Sequence, residues 1–133
     1  MQEGETIKIG VLASLTGALE SYGKQTRNGF ELGLEYATGG TMEIAGKKIE
    51  VVYEDTETKP EVAVQKATKL LEEDEVDFLV GSSSSGDTLA VLPLAEEYEK
   101  KDARIRVIHN LENKKLPESL NIGFREAQGE FLT

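Results

Sequence analysis

The sequence predicts a three-layer α/β sandwich built around a parallel sheet. Short β-branched segments alternate with longer segments of helical periodicity, in the order β-α-β-α-β-α-β-α-β. Such alternation is typical of parallel strands joined by right-handed helical crossovers that cover both faces of the sheet. No internal repeat, low-complexity linker or boundary interrupts the pattern, so residues 1–133 are expected to form a single domain.

The first strand and helix are predicted within residues 7–40. Residues 7–13 are short, β-branched and apolar, which predicts a buried strand, and turn formers follow them. Residues from about 22 to 36 carry apolar side chains at helical spacing and therefore predict a helix. Gly39 and Gly40 are expected to end that helix.

A small hairpin and a second helix are predicted next. Residues 42–44 and 48–55 flank an Ala-Gly-Lys turn, which suggests a hairpin that leads into the second long strand. Thr58 and Glu61 have the spacing of a capping box, and Pro60 suits the first turn of a helix. The buried face of this helix is expected to comprise Val62, Ala63, Ala67, Leu70 and Leu71.

The third strand is predicted at residues 76–80, and it ends in the sequence Gly-Ser-Ser-Ser-Ser-Gly. Asp87 is expected to be the N-cap of a helix that runs from Thr88 to about Lys101. Pro93 is expected to kink that helix or to shorten its regular part.

The remaining elements complete the predicted sheet. Residues 104–108 alternate as a fourth strand, a helix follows between Pro117 and Gly129, and residues 130–133 form a short fifth strand. Together these elements predict a flavodoxin-like, five-stranded parallel sheet in the order 2-1-3-4-5. The last strand either pairs at the outer edge, beside the fourth strand, or frays.

The composition argues against several functions. The net charge of −10 and the pI near 4.6 disfavour nucleic acid and anionic membranes as partners, because binding to phosphates needs clustered Lys and Arg. The chain has no Cys, which excludes a disulfide framework and a thiolate metal site. No apolar run approaches the roughly 20 residues needed to cross a bilayer. The acidic, polar residues 1–5 do not fit a signal peptide and suggest an added start codon, hence recombinant cytoplasmic expression.

Residues 6 to about 98 resemble the N-terminal lobe of type I periplasmic solute-binding proteins, the branched-chain amino-acid-binding family. The matching stretches are IKIGVLASLTGALESYG, RNGFELGLEYA, GKKIEVVYEDTETKPEVAVQKATKLL and VDFLVGSSSSGDTLAVLPLAEE. The resemblance implies a lobe that clamps a small solute against a second lobe and delivers the solute to an ABC transporter.

The serine-rich loop at residues 82–85 is the candidate ligand site. A strand followed by a Gly/Ser loop and a helix places N–H groups and hydroxyls at the carboxyl end of the sheet, where ligands of open α/β sheets bind. The resemblance implies that Ser83, Ser84 and Ser85 hold a solute carboxylate, with Ser85 in direct contact, while Tyr22 packs against the solute. The alternative is a capped turn without a ligand, because a lone lobe leaves most of a solute in water.

The end of the chain resembles a different family. The stretch KKDARIRVIHNLENKKLPESLNIGFREAQGEFLT is similar to the middle of a family-2 glycosyltransferase domain of the GT-A fold. Residues 86–101 suit either family, so the parts 1–98 and 99–133 would join inside one helix. That family's nucleotide-binding strand, acidic loop and Asp-x-Asp metal motif are missing, and Lys115 and Leu120 depart from its usual Gly and Arg. We therefore carry over no catalytic residue, metal or cofactor, and we expect no enzyme.

Two further candidate sites have simpler explanations. His109, the only histidine, follows the fourth predicted strand and is better explained as a solvated strand end than as a metal ligand. The serine-rich loop lacks the Gly-Lys-Ser/Thr ending of a phosphate-binding loop.

Three functions remain open from the sequence. The first, which the sequence favours, is a chimeric or engineered α/β scaffold without selected biochemical activity. The second is a truncated solute-binding module with weak affinity for a small carboxylate-bearing solute, such as an amino acid. The third is a structural role through self-association, so the chain is expected to be either a monomer or a homodimer.

Overall fold

The computed structural model describes residues 6–101 and Arg125. The chain divides into two compact units, Met1–Ala95 and Glu96–Thr133, and the sheet belongs to the first. Apart from Arg125, the elements predicted at residues 104–108, 117–129 and 130–133 lie outside the described residues, as do His109, Lys115 and Leu120. The described elements are β1 (Thr6–Ala13), α1 (Glu20–Thr38), β2 (Glu43–Ile44), β3 (Lys47–Asp55), α2 (Pro60–Glu72), β4 (Phe78–Val80) and α3 (Ser85–Lys101).

Four strands in the described residues form a mixed sheet in the order β2-β3-β1-β4. β1 pairs in parallel with all but the first residue of β3, from Thr6 opposite Lys48 to Ala13 opposite Asp55. On its other edge β1 pairs in parallel with the three residues of β4, and β2 is antiparallel to β3. β1 therefore lies between the two other parallel strands.

The α/β class is confirmed, but the predicted five-stranded parallel sheet in the order 2-1-3-4-5 is corrected. Residues 43–44 join the sheet as a strand of their own, because the two-residue turn at Ala45 and Gly46 returns the chain antiparallel to itself. Both turn residues have positive φ, at 49° and 77°, which is the geometry of a tight hairpin turn. The sheet is thus mixed, and its edge beside β3 is taken by β2.

The two faces of β1 pack against different helices. Leu12 lies on the face that α2 and α3 cover, in a core with Ala63, Ala67, Leu70 and Val91. Val11 and Ala13 point to the opposite face, where they are also fully buried. Tyr53 lies opposite Val11 on that second face, and the guanidinium of Arg27 on α1 lies 4.8 Å from its ring centre. The first unit therefore has three layers.

The predicted buried face of α2 is largely confirmed. Ala63, Ala67 and Leu70 are fully buried, whereas Val62 and Leu71 are half-buried. A cluster of charges holds the same helix against the sheet. Glu54 of β3 accepts from Lys66 at 2.7 Å and from Lys69 at 2.8 Å, and Lys69 also pairs with Asp74.

The charges in this cluster support each other's ionised forms. Partial burial alone would raise the pKa of the Glu54 carboxyl, but the two lysine ammonium groups hold it below its usual value. The hydrogen bonds from Lys69 to Asp74 and to Glu54 raise the pKa of the lysine.

The ends of α1 and α2 test two sequence signals. α1 begins at Glu20, and it ends as predicted, since Gly39 adopts φ 60° and the N–H of Gly40 donates to Glu35 O at 2.8 Å. α2 begins at Pro60, but the predicted capping box is wrong. The Thr58 hydroxyl instead donates to the Thr16 carbonyl and accepts from the Leu19 N–H, so it serves a contact between loops.

α3 continues through Pro93 to Lys101, so the expectation that this proline shortens the helix is wrong, while the alternative of a kink stays a prediction. Proline removes the N–H that would bond to the carbonyl four residues earlier, at Leu89. Leu89 is 69% exposed, so water can satisfy that carbonyl at small cost. None of the helices among the described residues is long and apolar enough to cross a membrane.

Gly23 is the one buried residue of α1, and it lets the helix touch the backbone that follows β1. A Cβ at this position would lie 1.9 Å from the Ser14 carbonyl oxygen, far inside van der Waals contact. Gly29 on the same helix has open space around its Cα. The two glycines therefore have opposite requirements for a side chain.

We predict that Gly23→Ala lowers the free energy of unfolding by about 2 kcal/mol or more, because α1 must move away from Ser14. The matched control Gly29→Ala should raise it by about 0.5–1 kcal/mol, since alanine is the better helix former. Urea denaturation followed by circular dichroism measures both changes. Equal stability of the two variants would contradict the close contact.

Candidate functional site

Three loops meet at the carboxyl ends of the parallel strands. They comprise residues 14–19 after β1, residues 56–59 after β3 and residues 81–84 after β4. The Ser14 N–H donates to the Ser83 Oγ at 3.3 Å, and the hydroxyls of Ser14 and Thr56 lie 3.2 Å apart. The serine-rich loop predicted to bind a ligand is therefore tied to the loops on both neighbouring strands.

Asp55 joins the first two loops. Its Oδ1 accepts from the N–H groups of Leu15, Thr16 and Glu57 at 2.9, 3.1 and 2.9 Å, and its Oδ2 accepts from the Thr16 hydroxyl at 2.6 Å. Burial alone would raise the pKa of this carboxyl, but these hydrogen bonds together hold it below its usual value. An ionised Asp55 thus fixes the course of the loop after β1.

A second carboxylate, Asp87, lies in a fully buried relay of side chains. Ser14, Thr56 and Asp87 are all removed from water. The Thr56 hydroxyl donates to Asp87 Oδ2 at 2.7 Å, which uses its one hydrogen, so the Ser14 hydroxyl must donate to Thr56. The other carboxylate oxygen, Oδ1, is buried and has no hydrogen-bond partner among the described residues.

The prediction that Asp87 is the N-cap of α3 is wrong. The helix begins at Ser85, which places Asp87 inside its first turn. Ser84 takes the cap position instead: its Oγ accepts from the Asp87 N–H at 3.4 Å, and its carbonyl accepts from the Thr88 N–H at 3.0 Å. Serine is as good a cap as aspartate, and the Asp87 carboxylate is held by Thr56.

The structure brings three of the four predicted site residues together in one loop. The hydroxyls of Ser83 and Ser84 each accept a backbone N–H, so each keeps its own hydrogen for another acceptor. Ser85 is exposed at the start of α3, where the first N–H groups have no intrahelical partner. Ser82, by contrast, donates within the loop to the Ser84 carbonyl at 2.8 Å.

Tyr22, the fourth predicted site residue, lies in the first turn of α1 and is 65% exposed. Its carbonyl accepts from the Thr26 hydroxyl at 2.9 Å. In the part of the chain that the structure describes, no hydrogen bond joins Tyr22 to the serine-rich loop. Its role against a solute therefore stays a prediction.

A surface pocket of about 440 Å³ lies elsewhere, between α1 and β3, and the sequence did not indicate it. Its lining residues are Glu31, Leu34, Glu35, Gly40, Met42, Val51 and Tyr53. Burial, followed by the Glu31 carboxylate, raises the pKa of the Tyr53 hydroxyl against the opposing effect of Arg27. The alternation of residues along a strand, which places Val51 and Tyr53 on one face of the sheet, was the sequence signal for this pocket.

No group of three or more His, Cys, Asp or Glu within residues 6–101 is arranged to hold a metal ion.

Comparison with known proteins identifies the family that has this arrangement of strands, helices and loops. The family model described as periplasmic binding protein matches residues 6–101. The chain belongs to that family. A second model, glycosyl transferase family 2, matches residues 84–133 and so overlaps the first over residues 84–101. Both resemblances that the sequence suggested are thus confirmed, and the second is partial.

Individual relatives agree with the first match. An amino acid binding protein of Pseudomonas aeruginosa is 34% identical over 96 residues, which is 71% of this chain and 24% of the relative. The crystal structure of an ABC-type branched-chain amino acid transporter from Rhodopseudomonas palustris is 43% identical, with a TM-score of 0.68 over 70% of this chain and 25% of that one.

A third relative carries a ligand. The substrate-binding protein LivJ of Streptococcus pneumoniae, solved in complex with isoleucine, is 32% identical, with a TM-score of 0.65 over 70% of this chain and 26% of that one. The chain therefore spans about a quarter of the length of these relatives, two of which are named as binding proteins.

From the sequence, Ser14, Asp55 and Thr56 were not assigned to the site, and Asp87 was named only as a helix cap. A signal was present in each case, because each polar residue ends or follows a predicted parallel strand or opens the helix after one. Parallel strands place all such positions at one edge of the sheet. Which of them would bond to each other depends on side-chain directions that no spacing rule supplies.

We predict that Asp55→Asn destabilises the chain by about 1–3 kcal/mol at pH 7, because the amide cannot accept from all four donors. The pKa of the Asp55 carboxyl is lower in the folded chain than in the unfolded chain. The ionised carboxylate therefore contributes its full stabilisation at pH values above the pKa of Asp55 in the unfolded chain. That stabilisation disappears as the pH falls through the pKa of Asp55 in the folded chain. The difference between wild type and variant should therefore shrink from pH 7 to pH 3 in urea titrations. A difference independent of pH would contradict this linkage.

Proposed function

We propose that the chain is a truncated solute-binding module that holds the carboxylate of a small solute, such as an amino acid, on its serine-rich loop. The observation that supports this function is a group of hydrogen-bond donors, in the serine-rich loop and at the start of α3, that are available to a ligand. The hydroxyl hydrogens of Ser83 and Ser84, the exposed hydroxyl of Ser85, which is the proposed direct contact, and the first N–H groups of α3 adjoin one another at the carboxyl end of the sheet. Carboxylate oxygens are the natural acceptors for such a set.

The relatives support the same class of solute. One relative is named for amino acid binding, and another was solved in complex with isoleucine. Each of them matches most of this chain. Because this chain spans about a quarter of their length, we expect a half-site that leaves much of the solute in water. Affinity should accordingly be weak.

A second candidate is a chimeric or designed α/β scaffold without selected biochemical activity. The observation in its favour is that two different family models overlap within residues 84–101, at the start of and along α3. A joint at that place keeps the helical phase, so core positions such as Val91 keep their direction. This candidate predicts a folded chain that responds to no solute.

We predict that an amino acid such as L-isoleucine raises the melting temperature by about 3–6 °C at about ten times its Kd, which corresponds to roughly 1.4 kcal/mol. Ser85→Ala should abolish the rise, because it removes the proposed direct contact. A thermal-shift titration against amino acids, small aromatic acids and nucleotide sugars with Mn²⁺ measures both.

Thr68→Ala is the control, since its hydroxyl bonds within α2 to the Val64 carbonyl. This variant should keep the full response. A flat response of the wild type to every compound, with one cooperative melt, would replace the binding module by the scaffold. A rise that survives Ser85→Ala would place the solute elsewhere.

A further inference from the structure

The pocket between α1 and β3 plays no part in the proposed function. It lies on the face of the sheet that α1 covers, whereas the serine-rich loop lies at the carboxyl ends of the parallel strands. Its volume of about 440 Å³ is within the range of sites that hold small organic molecules. Leu34, Met42, Val51 and the ring of Tyr53 give it an apolar wall. The pocket therefore suits a small ligand with an apolar body.

The charged groups that line this pocket are negative. Glu31 and Glu35 line it from α1, and among the described residues no Lys, Arg or His does so. The two glutamates are four residues apart on one helix, a spacing at which like charges repel. Arg27 offsets only the first of them, since its Nε lies 3.0 Å from the Glu31 carboxylate. No ion pair holds Glu35 in the described part of the chain, so one carboxylate is available to a cation.

The Tyr53 hydroxyl gives the pocket wall a donor and no charge. Burial raises the pKa of this hydroxyl, which therefore keeps its hydrogen at neutral pH. Its oxygen is buried and has no hydrogen-bond partner among the described residues. Two opposite ligand charges are thus conceivable: the glutamates favour a cation, and the hydroxyl alone favours an anion. The uncompensated carboxylate is the stronger determinant, because a full charge acts at longer range than a hydroxyl dipole.

We propose that this pocket binds a small organic ammonium ion with an apolar body, such as an arylalkylamine, and that Glu35 is the partner of the ammonium group. An alkylammonium group is charged at neutral pH and donates three hydrogen bonds. Its charge also relieves the repulsion between Glu31 and Glu35. Because Glu35 is exposed, its ion pair with the ligand stays partly in water, and the preference for a cation should be modest. The site is separate from the serine-rich loop and does not depend on the proposed function.

The experiment is an NMR titration of the full, ¹⁵N-labelled chain at pH 7 with three compounds of similar shape. They are phenethylamine, which is a cation, phenethyl alcohol, which is neutral, and 3-phenylpropanoate, which is an anion. Saturable shifts should appear at the amides of residues 31–42 and 51–53, which surround the pocket. Phenethylamine should bind about threefold more tightly than the alcohol, the scale of an ion pair partly in water, and the anion should bind most weakly.

Three variants separate the charge of Glu35 from the shape of the pocket. Glu35→Gln keeps the size of the side chain and should raise the Kd of phenethylamine about threefold while leaving that of the alcohol unchanged. Glu35→Lys changes the charge by two units and should raise the Kd of the amine about tenfold; its new i,i+4 pair with Glu31 supports α1. Glu50→Gln is the matched control, since Glu50 is exposed on β3 and points to the face opposite Val51. It should leave both Kd values unchanged.

Several results would overturn the proposal. Tightest binding of 3-phenylpropanoate would show that the Tyr53 donor selects the ligand. An amine-to-alcohol ratio that is the same in Glu35→Gln and wild type would remove Glu35 from the site, and an equal change in Glu50→Gln would assign the effect to net charge alone. Amine shifts confined to residues 82–88, or no saturable shift with any compound, would show that the pocket is not the site. The response to L-isoleucine tests the serine-rich loop separately, so either proposal can fail alone.

Discussion

β1 pairs along its whole length with β3 and at residues 9–11 with β4, and the helices cover its two faces. Val11, Leu12 and Ala13 are buried on two opposite faces, so helices are required on both sides of the sheet. Gly23 then allows α1 to approach the backbone at Ser14. Burial continues one residue past the strand, which forces the polar Ser14 to find partners inside the protein.

Those partners explain why the loops at the carboxyl ends are ordered by polar contacts. Ser14 reaches Ser83 through its N–H and Thr56 through its hydroxyl, so one buried residue links all three loops. The neighbouring residues Glu54 and Asp55 of β3 contact different elements, because successive side chains of a strand point to opposite faces of the sheet. Glu54 binds lysines of α2, whereas Asp55 binds the loop after β1.

Local chemistry accounts for the parts of the fold that the sequence predicts well. The long strands follow from their runs of β-branched, apolar residues, and the end of α1 at Gly39 and the start of α2 at Pro60 follow from local backbone preferences. The two capping predictions failed because tertiary partners compete for the same side chains. Thr58 binds the loop after β1, and the Asp87 carboxylate accepts from Thr56. The candidate serine-rich loop was identified from its sequence, but Asp87 was predicted only as a helix cap and its burial was not foreseen.

β4 carries a consequence for how the protein behaves in solution. Phe78 and Val80, which share a face of the sheet with Val11, are 59% and 37% exposed. At low ionic strength the net charge of −10 makes copies of the chain repel one another, whereas these apolar side chains favour contact. Physiological salt shortens the range of that repulsion to about 8 Å, which leaves apolar attraction to act at contact. The tendency of the chain to self-associate therefore depends on the balance between long-range charge repulsion and short-range apolar attraction. The salt concentration of the buffer sets that balance.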